Sequence, residues 1–123
     1  MIEIAPLSVS TLHLFKEQTY RGRCIVAYHG HVNEFYELSD TELAKFSQDV
    51  ATAARAIRTA MGAAKINYGA YSDKLPHLHV HLVPKYLDGP NWGSTFTMMP
   101  EPKQFLSPAE YDELSRRIRG QLA

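Results

Sequence analysis

Three histidines alternate with apolar residues in one short stretch, and their types and spacing are those of a chemical site. His77, His79 and His81 stand at strict two-residue intervals within residues 75–86. Successive side chains of a β-strand point to opposite faces, so this spacing predicts a strand with all three imidazoles on one face, roughly 6.5 Å apart. The opposite face carries three apolar residues, Leu78, Val80 and Leu82.

A row of imidazoles permits three kinds of function. The first is a metal site, because a His-x-His pair on a strand binds zinc through neutral ring nitrogens. The regular row weakens this hypothesis, since a third imidazole four residues along the strand converges poorly on one ion. The second is nucleophilic catalysis at phosphorus, in which one imidazole attacks and its neighbours hold the anionic oxygens. The third is a histidine-lined binding face without turnover.

The elements that must position this row can be placed from periodicity and caps. Residues 9–15, 23–29 and 64–71 have the β-branched and alternating composition of strands. A capping box from Ser39 to Glu42 opens a helix whose apolar stripe ends near Met61, with Gly62 as its stop. A second box, Ser107 to Glu110, opens a C-terminal helix. Residues 85–102 form a loop that is expected to pass near the histidine face.

The sequence therefore predicts one α+β domain over residues 1–123. The strand before the histidine row is joined to it by a short loop, which favours an antiparallel pair and brings Asn67 close to the histidines. We expect an antiparallel sheet of about five strands, one long helix across it and a C-terminal helix.

Composition excludes several classes of protein. The 13 basic and 13 acidic residues balance, which argues against general binding to nucleic acid or to a membrane surface. One cysteine, Cys24, excludes an intrachain disulfide and a cysteine-based zinc site, and its apolar neighbours predict a core thiol. The N-terminal residues lack the pattern of a signal peptide, so a cytoplasmic location is expected.

The stretch from Pro76 to Pro84 resembles the alternating histidine signature of the histidine triad (HIT) superfamily of nucleotide hydrolases and transferases. Asn67-Tyr68-Gly69 resembles the Asn-x-Gly of the preceding strand in that family. The order of elements is also similar, and the resemblance covers roughly residues 12–92. It implies a HIT-like fold, often in homodimers whose sheets join.

The resemblance also implies roles for the residues. His79 would attack the α-phosphorus of a purine nucleotide conjugate, such as a dinucleoside polyphosphate or a phosphoramidate, and form a nucleotidyl-histidine. His81 would contact the α-phosphate and assist the leaving group, and the backbone carbonyl of His77 would fix the tautomer of His79. Asn67 would hold a phosphate or leaving-group oxygen. No metal or cofactor is implied.

Four further residues are candidate substrate contacts. Arg23 stands where the family often has another histidine, and it can hold phosphate but cannot shuttle a proton near neutral pH. His31 is expected to support the site, while Lys74 and Trp92 lie in flanking loops. Because Arg23 replaces the family's histidine, a nucleotide-binding module with little turnover is one alternative function. A zinc-dependent hydrolase is the other.

Overall fold

The computed structural model describes residues 1–122, which form one antiparallel sheet covered on one face by two helices. The strands lie in the order β1-β2-β3-β5-β4 across the sheet. Their bounds are β1 Ile2–Pro6, β2 Ser10–Leu14, β3 Cys24–Tyr28, β4 Lys65–Gly69 and β5 His79–Lys85. The helices are α1, Asp40–Met61, and α2, Pro108–Arg119, with a short 3-10 helix at Phe35–Glu37. The α+β class and the five-stranded antiparallel sheet are thus confirmed.

The strand β1 has no counterpart among the strands assigned from sequence. It pairs with β2 as a hairpin, in which Ile2 lies opposite Leu14 and Pro6 opposite Thr11. Only Ile4 of its five residues is buried, so its apolar alternation is short and the chain end gives it no flanking turn signal.

The long helix α1 begins and ends where its caps predict. The Ser39 side chain accepts a hydrogen bond from the backbone N–H of Glu42, and Gly62 ends the helix in the left-handed conformation. The capping box itself is only half formed, because the Glu42 carboxylate accepts a hydrogen bond from the Tyr28 hydroxyl instead, at 2.6 Å. This exchange ties the start of α1 to the end of β3.

A buried carboxylate joins α1 to the β1–β2 hairpin. Asp49 accepts hydrogen bonds from the backbone and hydroxyl of Ser8, the backbone of Val9 and the hydroxyl of Ser10, over 2.6–3.2 Å. Four hydrogen bonds satisfy both oxygens, which is what burial of a carboxylate requires. The hairpin is therefore held against the helix by polar as well as apolar contacts.

The hydrophobic core lies between the two helices and one face of the sheet. Its members from β5 and the residue before it are Leu78, Val80 and Leu82, as the alternation predicts. Cys24 is fully buried there, so the prediction of a core thiol is confirmed. The other sheet face, which we call the histidine face, carries His79 and His81. Within residues 1–122 no helix is both long and apolar enough to cross a membrane.

The histidine strand is shorter than its sequence pattern. β5 begins at His79, and residues 75–78 approach it as an irregular segment. Pro76, which has no N–H to donate to a sheet, lies within this segment. Leu78 still bonds through its backbone to Val32 and Tyr28, which fixes the path of His77. β5 pairs antiparallel with both β3 and β4, so the predicted pairing is confirmed.

Candidate functional site

Strand β5 presents two neighbouring imidazoles on the histidine face. His81 lies opposite Ile25 of β3 and Gly69 of β4, and His79 lies opposite Ala27. The two ring centroids are 5.3 Å apart, with the rings at 65°. Both side chains are largely buried.

The third histidine holds the row in place rather than extending it. The Nε2–H of His77 donates to the backbone carbonyl of Tyr28 at 2.6 Å. The backbone carbonyl of His77 in turn accepts a hydrogen bond from Nδ1–H of His79, also at 2.6 Å. Donation from Nδ1 makes Nε2 of a neutral His79 the unprotonated nitrogen, with its lone pair directed away from the backbone.

His81 is surrounded by aromatic rings and one cation. The rings of Phe15, Tyr71 and Phe96 lie with centroids 5.7–6.4 Å from its own. Burial, the charge of Arg23 and the nearby His79 together lower the pKa of His81 from 6.5 to about 4. His81 is therefore neutral near pH 7.

Arg23 is buried behind His81. One terminal nitrogen of its guanidinium donates to Nδ1 of His81 at 3.2 Å, and the other donates to the backbone carbonyl of Met98 at 2.9 Å. Because Nδ1 of His81 accepts, the ring proton of His81 sits on Nε2 and is available to a ligand. Burial lowers the pKa of Arg23 to about 10, which still leaves the guanidinium charged at neutral pH. Arg23 thus contacts His81, whereas the sequence suggested direct contact with phosphate.

The loop after β5 covers Arg23 through Phe96 and Met98, whereas the sequence suggested only that residues 85–102 pass near the histidine face. The guanidinium carbon lies 4.1 Å from the ring centroid of Phe15 and 5.3 Å from that of Phe96. Gly69 lets the rings of Tyr71 and Phe96 approach the sheet, because a Cβ at this position would lie 2.8 Å from the Tyr71 ring and 3.1 Å from that of Phe96. The arginine is therefore sandwiched between aromatic faces, an arrangement that stabilises a buried cation.

The remaining predicted residues separate into two groups. Asn67 and Trp92 line one groove, which continues along the histidine face toward the end of β5. Lys74 and His31 are exposed in loops, the first between β4 and β5 and the second after β3. The structure thus brings the Asn67 and Trp92 predictions together and leaves Lys74 and His31 outside the groove.

Three residues near the site carry no role in the sequence analysis. Lys85 lines the same groove as Asn67 and is buried, and Phe96 and Met98 cover Arg23. The alternation of β5 could have identified Lys85, because it is the next residue but one after Val83 on the face of His79 and His81. No sequence signal marks Phe96 or Met98, since a loop path has no periodicity.

The arrangement provides a lone pair on His79 next to an N–H donor on His81. This pair suits attack on an anionic centre whose oxygens are held by hydrogen bonds. Among residues 1–122, no three His, Cys, Asp or Glu side chains are grouped so that they could hold a metal ion. His77 and His79 each commit one ring N–H to a backbone carbonyl.

Comparison with known families agrees with this geometry. A family model described as the HIT domain matches residues 7–88, which is more than half of the chain. The chain belongs to the HIT family. The resemblance drawn from the histidine row is thereby confirmed, and the chain is placed in a family of nucleotide-binding proteins and nucleotide hydrolases. No protein with a curated description matches it.

Solved structures of HIT proteins share the fold. A histidine triad protein from Sinorhizobium meliloti 1021 is 23% identical with a TM-score of 0.89, over 98% of this chain and 88% of that one. A histidine triad protein from Bradyrhizobium japonicum is 18% identical with a TM-score of 0.90, over 99% and 90% of the two chains. A zinc-bound histidine triad family protein from Mycobacterium smegmatis is 19% identical with a TM-score of 0.70, over 98% and 82%. At these identities the likeness confirms the HIT-like fold.

Proposed function

We propose that this HIT protein is a nucleotidyl hydrolase or transferase that cleaves a purine nucleotide conjugate at its α-phosphate. The observation that carries the proposal is the hydrogen bond from Nδ1–H of His79 to the carbonyl of His77, at 2.6 Å. It holds the lone pair on Nε2, where a neutral imidazole is a good nucleophile toward phosphorus. Family membership supports the choice of a nucleotide as substrate.

The reaction proceeds in two steps. His79 Nε2 forms a bond to the α-phosphorus, and the bond from phosphorus to the leaving group breaks with its electron pair on the leaving atom. His79 is then a cation that keeps its Nδ1 proton. Water or another acceptor next attacks the phosphorus and loses a proton, and the electron pair of the N–P bond returns to Nε2. The product is a nucleoside monophosphate or its ester with the acceptor.

The neighbouring residues support both steps by holding charge. His81 donates through Nε2–H to a nonbridging phosphate oxygen, and Arg23 keeps that tautomer from behind at 3.2 Å. Asn67 donates from its amide to a phosphate or leaving-group oxygen. Nothing in this scheme calls for a metal or a cofactor, although a zinc-bound relative of the fold is known.

Acid-labile labelling tests the proposal. The wild type, His79→Ala and His29→Ala are mixed with an adenylyl substrate labelled at the α-phosphate, in the presence of a chelator, and quenched in alkali. His29 is an exposed histidine that bonds to Thr11, so its variant is the matched control. We expect label on the wild type and on His29→Ala, stable in alkali and lost in acid, and none on His79→Ala.

The two alternatives give different results in the same experiment. A nucleotide-binding module would bind AMP without becoming labelled. A zinc-dependent hydrolase would lose turnover with the chelator and regain it with stoichiometric zinc. Either result would refute the proposal that this protein forms a nucleotidyl-histidine intermediate.

We also propose that two copies pair along β4, which would join their sheets as the family resemblance implies. β4 is an edge strand, and its Tyr68 is 56% exposed beside a groove of 340 Å³ that also contacts α1. An exposed edge with an aromatic residue is a ready site for pairing with another strand. Sedimentation velocity is expected to show a dimer that Tyr68→Asp disrupts, whereas Phe105→Asp, at a similarly exposed aromatic residue, leaves it intact. A monomeric wild type would refute the pairing.

A further inference from the structure

The groove lined by Asn67 and Trp92 continues the histidine face toward the end of β5. It has a volume of 530 Å³, and its lining residues are Lys65, Asn67, Lys85, Trp92, Gly93, Ser94 and Thr95. We call it the lysine groove. Lys65 lies opposite Lys85 in the β4–β5 register, and Asn67 lies opposite Val83. Lys85 is four residues beyond His81, a distance of about 13 Å along the strand.

The lysine groove contains a buried cation without a carboxylate partner. Lys85 is 3% exposed, and its ammonium donates to the carbonyl of Ser94 at 2.7 Å and to Oδ1 of Asn67 at 3.3 Å. Both acceptors are uncharged, and an ammonium has three hydrogens to donate. Among residues 1–122 the ion pairs are Lys103–Glu101 and Arg116–Glu113, so no acidic side chain neutralises Lys85.

The cost of this arrangement indicates that the groove is built for an anion. Burial of a charge without a counter-charge is unfavourable unless a ligand supplies one. The lining includes two lysines and no acidic residue, so an anion entering the groove meets positive charge with no opposing carboxylate. Trp92, which is 44% exposed, adds an aromatic surface.

Lys85 also orients the residue that connects the groove to the histidines. Because Oδ1 of Asn67 accepts from Lys85, the amide nitrogen of Asn67 points its two hydrogens elsewhere. A chain of donors therefore follows the sheet face from Nε2–H of His81 through the Asn67 amide to the Lys85 ammonium. Such a chain matches a row of phosphate groups.

We propose that the lysine groove is an anion subsite that holds the phosphate groups of the leaving group. The inference rests on the proposed function, in which the bond from the α-phosphorus to the leaving atom breaks. The protein then favours conjugates whose leaving group is a phosphate chain over those whose leaving group is an amine. Where the leaving atom is a phosphate oxygen, it departs with the electron pair as an anion that Lys85 and Lys65 stabilise.

The lack of a group that can readily give a proton to the leaving group also favours phosphate over amine leaving groups. An amine leaving group must receive a proton as it departs. His81 is neutral near pH 7, and Arg23 cannot act as a proton shuttle there. A phosphate leaving group needs no proton, so fixed cations are sufficient for it.

Direct binding of inorganic triphosphate tests the subsite without any turnover. Calorimetry is performed on the wild type, Lys85→Met, Lys65→Gln and the control Lys45→Gln, whose lysine is exposed on α1. Loss of a charge-assisted hydrogen bond is expected to weaken binding by about tenfold to a hundredfold in Lys85→Met. Lys65 is exposed, so Lys65→Gln does not disturb packing. We expect it to weaken triphosphate binding less than Lys85→Met does. Unchanged binding in both groove variants, or an equal loss in Lys45→Gln, would overturn the subsite.

Kinetics then separate the subsite from the proposed reaction. The ratio of kcat/KM for a dinucleoside tetraphosphate to that for an adenosine phosphoramidate is measured in the wild type and in Lys85→Met. We expect Lys85→Met to lower the ratio by about tenfold or more, and an equal loss for both substrates would make Lys85 merely structural. If the wild type cleaves neither substrate but Lys85→Met still weakens triphosphate binding, the subsite stands and the proposed function fails.

Discussion

The charge of Arg23 is predicted to control the protonation of His81, and replacing it measures that control. The pKa of His81 is lowered from 6.5 to about 4, chiefly by burial, then by Arg23 and then by His79. The difference corresponds to about 3 kcal/mol in favour of the neutral ring. All three causes act in the same direction and burial is the largest, so Arg23 accounts for less than half of this free energy.

We expect Arg23→Gln to raise the pKa of His81 above about 4 while leaving it below 6.5, because the burial remains. Arg23→Lys is the matched control, since it keeps a cation next to the ring and should keep the pKa low. NMR titration of the ring carbon hydrogens gives the pKa values directly, and the His81→Asn spectrum assigns the resonance.

The same difference makes stability depend on pH. Above pH 6.5 His81 is neutral in both the folded and the unfolded chain. Below that pH the unfolded chain binds a proton that the folded chain excludes, so the contribution of His81 to the free energy of unfolding falls by about 3 kcal/mol between pH 6.5 and about pH 4. Arg23→Gln should make this fall smaller, as urea unfolding across the pH range would show.

Two results would refute the reasoning about Arg23. One is a wild-type His81 that titrates near 6.5, which would mean that water reaches the His81 ring despite the packing of Phe15 and Phe96. The other is the same His81 pKa in Arg23→Gln, Arg23→Lys and the wild type, which would mean that the 3.2 Å contact is not made in solution.

Three further predictions concern other parts of the structure. Asp49→Asn should lower the free energy of unfolding by about 2–3 kcal/mol, because four donors lose a charged acceptor; a loss under about 0.5 kcal/mol in urea unfolding would contradict this account. Gly69→Ala should displace the rings of Tyr71 and Phe96 from His81, so kcat/KM should fall by more than about tenfold at a stability cost of about 1–3 kcal/mol; unchanged kinetics would show that these rings do not shape the site. Burial raises the pKa of the Cys24 thiol, so a disulfide reagent should modify it only after unfolding, and rapid labelling of the native protein would contradict its burial.

Most of the fold was predictable because its signals are local. Ser39 and Gly62 mark the two ends of α1 in the sequence, and they cap it as expected. The alternation of Leu78, Val80 and Leu82 identifies the core face of β5. The errors occur where local signals compete with tertiary ones. Glu42 has the right position to close a capping box, but the Tyr28 hydroxyl offers a better partner across the fold. The histidine strand likewise begins only at His79, although its periodicity alone extends to residue 75, because the backbone of Leu78 bonds to Val32 and Tyr28.

The candidate site was predictable only along the strands. Periodicity places His79, His81 and Asn67 on one face, since residues two apart share a face and paired strands share a register. It cannot tell that Arg23 is covered from behind by Met98, because that contact spans 75 positions of sequence. A loop that folds back has no period, so the burial of Arg23, and with it the low pKa of His81, follows only from the three-dimensional path.

The position of Arg23 changes what the histidine face can do, under the chemistry proposed for it. A histidine in that place could accept a proton from His81 and return it, so that the pair serves leaving groups of high basicity. Arg23 fixes the ring proton of His81 on Nε2 and carries its own charge at every pH near neutral. Lys85 carries a second charge on the far side of His81, with Asn67 between them. A site with a fixed cation on each side stabilises negative charge without moving protons, so a phosphate leaving group can depart without receiving a proton from the protein. Arg23→His would place a titrating group beside His81, so the pH profile of kcat/KM between pH 6 and pH 8 should differ from that of the wild type. An unchanged profile would show that the arginine does not act through His81.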